Sequence, residues 1–203
     1  MAKRTLRGGA MLGPLPTALV TCGAEGRDNI ITVAWTGILC TQPPKAYIAV
    51  RPTRYSHELL SKNGEFILHP TPATLSKTAD YCGMFTGRKV DKFEKCHLTR
   101  EAADSVSVPR IAECPLALEC RVYEVKSLGT HDLFMADILS VSVEDALFDQ
   151  NGKIHMEKAD LCAYLHGEYF ALGKRLGNFG FSAVKKKKRK APGNGKGKDR
   201  QDQ

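Results

Sequence analysis

The chain reads as a mainly β domain with a few short helices. Three observations predict this. Runs rich in Val, Ile, Thr and aromatic residues recur along the chain and are separated by Gly, Pro, Asn and Asp. Leu116, Leu118, Cys120 and Val122 alternate with Ala117, Glu119, Arg121 and Tyr123, the period of a half-buried strand. Helical patterns are short and do not alternate regularly with strands, which argues against a doubly wound parallel sheet.

Taken in order, Ala18–Cys22 is a short apolar strand and Gly23-Ala-Glu-Gly26 a turn. Asn29–Cys40 predicts a strand or two with an irregular join at Thr36-Gly37, and Tyr47–Val50 another strand entered from the Pro43-Pro44 corner. Residues 54–63 predict a helix capped by Ser56, with Leu59 and Leu60 inward and Gly64 as the stop. Glu65–His69 is extended. Thr71-Pro-Ala-Thr has the form of a helix start, Thr71 capping and Pro72 in the first turn of a helix reaching Tyr81. Gly83–Asp91 is a loop. Leu116–Leu128 and Leu133–Val143 are the longest strands, joined as a hairpin through Gly129-Thr-His-Asp132, and Asn151-Gly152 marks a further hairpin turn. Residues 161–182 are short and Gly-punctuated.

The formal charge is +8, but it is unevenly placed. Residues 185–203 carry nine basic and two acidic side chains, and Lys3, Arg4 and Arg7 lie at the other end; the body from 8 to 184 is slightly acidic. We therefore divide the chain into a domain, 1–184, and a basic tail, 185–203, whose composition predicts disorder. No run approaches the roughly 20 apolar residues of a membrane span, and no apolar stretch follows the basic start as a secretion signal would require. Seven cysteines without a C-x-x-C pair fit reduced thiols in a cytoplasm better than a disulfide or zinc framework. The histidines show no ligand spacing, so no metal site is expected. Gly-x-Gly-x-x-Gly and Walker loops are missing from the sequence.

Chemistry concentrates in three segments: Asn29–Cys40, Arg51–Leu60 and Gly87–Phe93. An electron-poor heterocycle needs an apolar wall and edge donors, which Trp35 and its neighbours supply. Ser56 at a helix head suits a phosphate. Lys92 brings a cation to a ring that becomes anionic on reduction.

The order of these segments resembles the flavin reductase-like family, in its flavoredoxin branch. The resemblance spans about residues 8–183. It rests on Gly13-Pro-Leu-Pro-Thr-Ala-Leu-Val-Thr, Asn29-x-x-Thr-x-Ala-Trp-Thr-Gly with Pro43-Pro44, Arg51-x-x-Arg-Tyr-Ser-x-Glu-Leu, Asp91-Lys92-Phe93 and Leu172-Gly-x-x-x-Gly-x-Phe-Gly. It implies a Greek-key split β-barrel, noncovalent FMN and a homodimer with the flavin near the subunit interface. By position it implies that Asn29, Trp35 and Thr36 line the isoalloxazine and ribityl region. Ser56 and the backbone at His57 would hold the phosphate, Lys92 would approach the phosphate or the polar edge of the ring, and His131 and Tyr164 would close over it. The activity implied is electron transfer through FMN, from NAD(P)H or an electron-transfer protein such as a ferredoxin, to an acceptor. No residue is expected to act as nucleophile or obligatory acid.

The rival reading is a nucleic-acid-binding protein that uses Lys185–Lys190. No RNA-recognition module accompanies that run, and its basic residues are not interleaved with aromatics.

Overall fold

In the computed structural model, which describes residues 1–183, the β prediction takes the form of one large antiparallel sheet. Seven strands lie in the order β3-β2-β6-β9-β10-β5-β4. They are β2 (Ala18–Ala24), β3 (Arg27–Val33), β4 (Thr36–Thr41), β5 (Pro44–Val50), β6 (Glu65–Pro70), β9 (Leu116–Ser127) and β10 (Asp132–Val143). Two small sheets complete the strands. β1 (Leu15–Pro16), β11 (Cys162–Leu165) and β12 (Glu168–Ala171) form a three-stranded sheet; β7 (Arg100–Glu101) pairs with β8 (Arg110–Ile111). The helices are α1 (Tyr55–Asn63), α2 (Ser76–Met84) and the single turn α3 (Lys92–Lys95).

The edge strands β3 and β4 are joined by Ala34 and Trp35 alone. That link spans at most about 10 Å, whereas a flat sheet of this width would hold its edges roughly 29 Å apart. The sheet is therefore rolled. No ladder pairs β3 with β4 among the described residues, so the roll is not closed by strand pairing. A backbone bond from Ala49 to the Trp35 carbonyl, 2.9 Å, fixes the link instead.

The inward faces of β2, β5, β6, β9 and β10 pack Val20, Ile48, Phe66, Cys120 and Phe134 against Leu59 and Leu60 of α1. Each large side chain so buried contributes about 1.5–3 kcal/mol. A second cluster, with Leu19, Ile30, Ala79, Cys82 and Phe93, glues α2 and α3 to the outer face of β2 and β3.

Several boundaries differ from expectation. The break after β3 falls at Ala34-Trp35, because Thr36 is already paired with Ile48 and its hydroxyl donates to the Tyr47 carbonyl at 2.6 Å. Ser56 does not cap α1: the cap position is Arg54, with no side-chain bond, and Ser56 is buried in the first turn. Gly64 does end the helix, at φ 69° with its N–H on the Leu60 carbonyl. Thr71 caps nothing. Its backbone is drawn into bonds with Thr17 and Cys162, so a 3-10 turn, Ala73–Leu75, precedes α2. Asn151-Gly152 makes its turn, but only one bridge, Phe148 to Ile154, follows it. The hairpin of β11 and β12 has no counterpart in the sequence reading; its turn uses His166 at φ 49° and Gly167 at φ 92°.

The chain divides into two compact units, Met1–Leu172 and Gly173 onward. In the second, the described residues carry a single 3-10 turn, Phe181–Ala183. The boundary drawn at 184 and the basic tail 185–203 lie outside the described residues. No helix among the described residues is long and apolar enough to cross a membrane.

Candidate functional site

Two cavities share Ile31, Arg54 and Met84 in their walls and so adjoin. The smaller, about 280 Å³, is lined by Asn29 and Ile31 of β3, Thr53–Ser56 at the head of α1, Cys82 and Met84 of α2, Gly87 and Lys92. The larger, about 470 Å³, lies between β3, the Trp35 link, the end of β5, Arg51, Arg54, α2, His131 and the hairpin bearing Tyr164 and Tyr169.

Asn29 sits in mid-strand, 4% exposed. It faces α1 because it shares the strand face of Ile31, which packs into the inner cluster, while Ile30 between them points into the outer one. Its Nδ2 donates to Ser56 Oγ at 2.8 Å, and its Oδ1 is buried with no partner. In the alternative amide orientation Ser56 donates to Oδ1 and an N–H is left for a ligand. Either way, one polar atom of a buried pair awaits a partner. Gly87 presses on this amide: a Cβ there would lie 2.0 Å from Oδ1. Only glycine lets the loop backbone come so close.

Lys92 opens α3 and is buried. Its Nζ donates to the carbonyls of Ile30, 2.6 Å, and Cys82, 2.8 Å, leaving one ammonium hydrogen. Burial pulls its pKa below the usual lysine value. Asp91 does not pair with it. That carboxylate caps α3 through the amides of Phe93 and Glu94 and binds Arg100. The head of α1 adds first-turn amides and a partial positive charge beside the same cavity.

In the larger cavity Trp35 is 45% exposed and lies parallel to His131, centroids 6.1 Å apart and planes 10° from coplanar. Burial, then Arg51, lowers the His131 pKa. Tyr164 meets Tyr169 edge to face at 5.7 Å. Burial, then the neighbouring Asp80, pushes the Tyr169 phenol up to about 12.

The structure thus gathers Asn29, Ser56 and Lys92 round one cavity, and Trp35, His131 and Tyr164 round the other. Two expected residues are turned away. Thr36 lines neither cavity, because its hydroxyl is spent on Tyr47. His57 faces β10: Nε2 meets Asp132 Oδ2 at 2.7 Å, the ring lies edge-on to Phe134, and its amide already donates to the Arg54 carbonyl. Arg51, Arg54 and Gly87, absent from the expected set, all line the cavities. The arginines stood in a quoted motif and Gly87 opened the third segment, yet nothing in the sequence distinguishes a loop arginine that lines a site from one that is merely solvated.

A cluster of buried donors beside an aromatic-lined cleft suits a ligand with an anionic end and a planar end. Residues 11–173 match the family model of the flavin reductase like domain, and the chain belongs to that family. An uncharacterized protein of Archaeoglobus fulgidus is 37% identical over 138 residues, 68% of this chain and 77% of that one. The flavoredoxin of Desulfovibrio vulgaris (Miyazaki F) superposes with a TM-score of 0.83 at 29% identity, over 90% of this chain and 99% of that one. An FMN-binding protein of Thermus thermophilus, solved with bound 1-cyclohex-2-enone, superposes with a TM-score of 0.72 at 25% identity, over 88% and 97% of the two chains.

Proposed function

We propose that the protein is an FMN-dependent oxidoreductase of the flavoredoxin type, with the smaller cavity taking the phosphate end and the larger the isoalloxazine. The observation that carries this reading is the buried Asn29–Ser56–Lys92 cluster. It leaves Asn29 Oδ1 unpartnered and one Lys92 hydrogen free at a cavity floored by a glycine. Such groups cost free energy when left unsatisfied; with the Asn29 amide turned so that Ser56 donates to Oδ1, its N–H and the remaining Lys92 hydrogen are both donors, and a phosphate accepts from them. The family membership and the likeness to a flavoredoxin and an FMN-binding protein support the same cofactor.

Bound there, FMN supplies hydride or single-electron transfer at its N5. The chain binds and orients. Lys92 and the head of α1 neutralise the anionic end, Asn29 and Ser56 fix its register, and Ile31, Val33 and Val50 exclude water from the planar end. Trp35 and His131 offer stacking surfaces at the rim. Donors at a preorganised, partly dry edge favour the reduced, more negative state of a bound ring. The electrons come from NAD(P)H or a small electron-transfer protein and leave to an acceptor.

The protein acts as a homodimer. In the half-sheet β9-β10-β5-β4, each of three bulges inserts one extra residue: Tyr123, Leu139 and Leu39. All three are exposed, as are Ile38, Val125 and Val141 nearby. Apolar side chains pushed outward along adjacent strands suit a second copy. The seven free thiols fit a reducing cytoplasm.

Reconstitution tests the reading. Full-length protein mixed with FMN is expected to quench flavin fluorescence and shift the flavin bands, and Ser56→Ala to weaken that binding. No binding by wild type removes the proposal.

A further inference from the structure

Arg88, Arg100, Arg110 and Arg121 are each tied to carboxylates. Arg51 and Arg54 differ. Both line the larger cavity, both are exposed, and neither guanidinium has an ion pair or hydrogen bond among the described residues. Arg54 borders both cavities and so belongs with the phosphate end. Arg51 borders only the larger one, where it stands close enough to His131 to depress that imidazole's pKa. His131 in turn lies parallel to Trp35, which keeps nearly half its surface in solvent. A guanidinium without a carboxylate, beside two parallel aromatic planes over an apolar wall of Val33, Ala34 and Ala49, describes a ligand in some detail. It is flat, it is aromatic, and it carries a carboxylate, the group that the planar fork of arginine binds through two parallel hydrogen bonds. The cavity of about 470 Å³ has to share its volume with the isoalloxazine, so the walled room left beside it is that of a single ring.

We propose that Arg51 is the specificity residue of a second subsite, at the Trp35–His131 end of the larger cavity, for monocyclic aromatic carboxylates as the co-substrate of the proposed flavin. The inference rests on the FMN reading for its place in a reaction, but the binding it describes is measurable without turnover.

The test uses full-length protein with and without added FMN, titrated with benzoate and with the isosteric neutral benzamide. Trp35 is the sole tryptophan, so its fluorescence reports the subsite directly, and the flavin bands give a second readout. Benzoate is expected to bind about tenfold or more tightly than benzamide, the worth of a charge-assisted pair. Arg51→Met should erase that ratio with FMN affinity unchanged, and Arg51→Lys, which keeps the charge but loses the fork, should retain part of it. Arg51 is exposed, so both variants are expected to fold, which circular dichroism checks.

Equal affinity for the two ligands overturns the proposal, as does a ratio that survives in Arg51→Met. Loss of FMN affinity in Arg51→Met assigns Arg51 to the cofactor and also overturns it. So does an Arg51-dependent response to NADH with none to benzoate, which assigns the cation to a dinucleotide. Benzoate discrimination in a protein that fails to bind FMN supports the subsite and removes the flavin reading instead.

Discussion

Two buried polar clusters flank the same β2–β6 region, and they are finished to different degrees. Behind β6 and β9, both oxygens of fully buried Glu119 accept bonds, from the amides of Asp104 and Ser105 and from Arg110. Fully buried His69 uses both nitrogens, donating from Nδ1 to the Leu19 carbonyl and accepting at Nε2 from the Ile111 amide. Burial drops its pKa to about 4, so the ring stays neutral in the tautomer those bonds require. Closure there is complete at Glu119 and His69, while Arg110 Nε makes no hydrogen bond and faces the Glu101 carboxylate at 3.6 Å; in the equally buried Asn29–Ser56–Lys92 cluster the open atom, Asn29 Oδ1, has neither a hydrogen bond nor a countercharge and stands beside a cavity. Buried polar groups that satisfy one another hold a fold together; those that stop one partner short are arranged for something that arrives later.

The comparison breaks if the two clusters respond alike to substitution. Glu119→Ala strips the acceptor from two amides and removes one partner of Arg110, which keeps Asp104 and Ser142, so unfolding in denaturant should lose about 2–5 kcal/mol, chiefly from the two stranded amides. A loss below about 1 kcal/mol would show that this cluster is not structural. Lys92→Met should behave in the opposite way. The burial cost of an ammonium disappears, so stability stays within about 1 kcal/mol, while FMN affinity falls about 10- to 100-fold through the lost charged bond. Asn29→Ala and Ser56→Ala should each weaken FMN binding by about tenfold. Gly87→Ala should do so through position rather than chemistry, by driving its Cβ into the Asn29 amide. Calorimetric titration of each variant measures these losses, and wild-type affinity in all three would dissolve the distinction.

The smallest effect lies at the surface, where His155 is clamped between Asp149 and Glu157 at 3.0 and 2.9 Å. Asp149, then Glu157, raises the His155 pKa above its ordinary 6.5. The stability this adds is complete below pH 6.5 and fades as pH rises through the folded value. His155 and the loop amides pull Asp149 from 3.8 to about 2, so its share is present above pH 3.8 and is lost as pH falls toward 2. Comparing melting curves of wild type and His155→Gln across pH should show a small difference largest near pH 5. A difference that grows at alkaline pH would contradict the sign.

Much of the sheet is legible because strands announce themselves by period, and β9 and β10 are long enough to do so clearly. The hairpin of β11 and β12 is not, since each strand has only four residues and the turn relies on His166 in a left-handed conformation. The site divides along a similar line. Asn29, Trp35, Ser56 and Lys92 stand at the cavities, as the motifs suggested. Thr36 begins β4 just after the Trp35 link and spends its hydroxyl on the Tyr47 carbonyl; the His57 amide, expected at the phosphate, is bonded to the Arg54 carbonyl, and its side chain, about 100° round the helix from Ser56, meets Asp132. Proximity along the chain therefore named the neighbours of site residues as well as the site residues themselves. Arg51 and Arg54 are plain in the sequence motif, but the lack of a carboxylate partner is a property of the folded chain.

The most direct measurement is an FMN titration of purified full-length protein followed through the flavin spectrum, with Lys92→Met alongside. Saturable binding at one flavin per chain, weakened at least about tenfold in the variant, is the expected result. A wild-type protein that leaves the flavin spectrum unchanged, or a Lys92→Met protein that binds as wild type does, would contradict the claim that the unfinished cluster is built for a cofactor's anionic end.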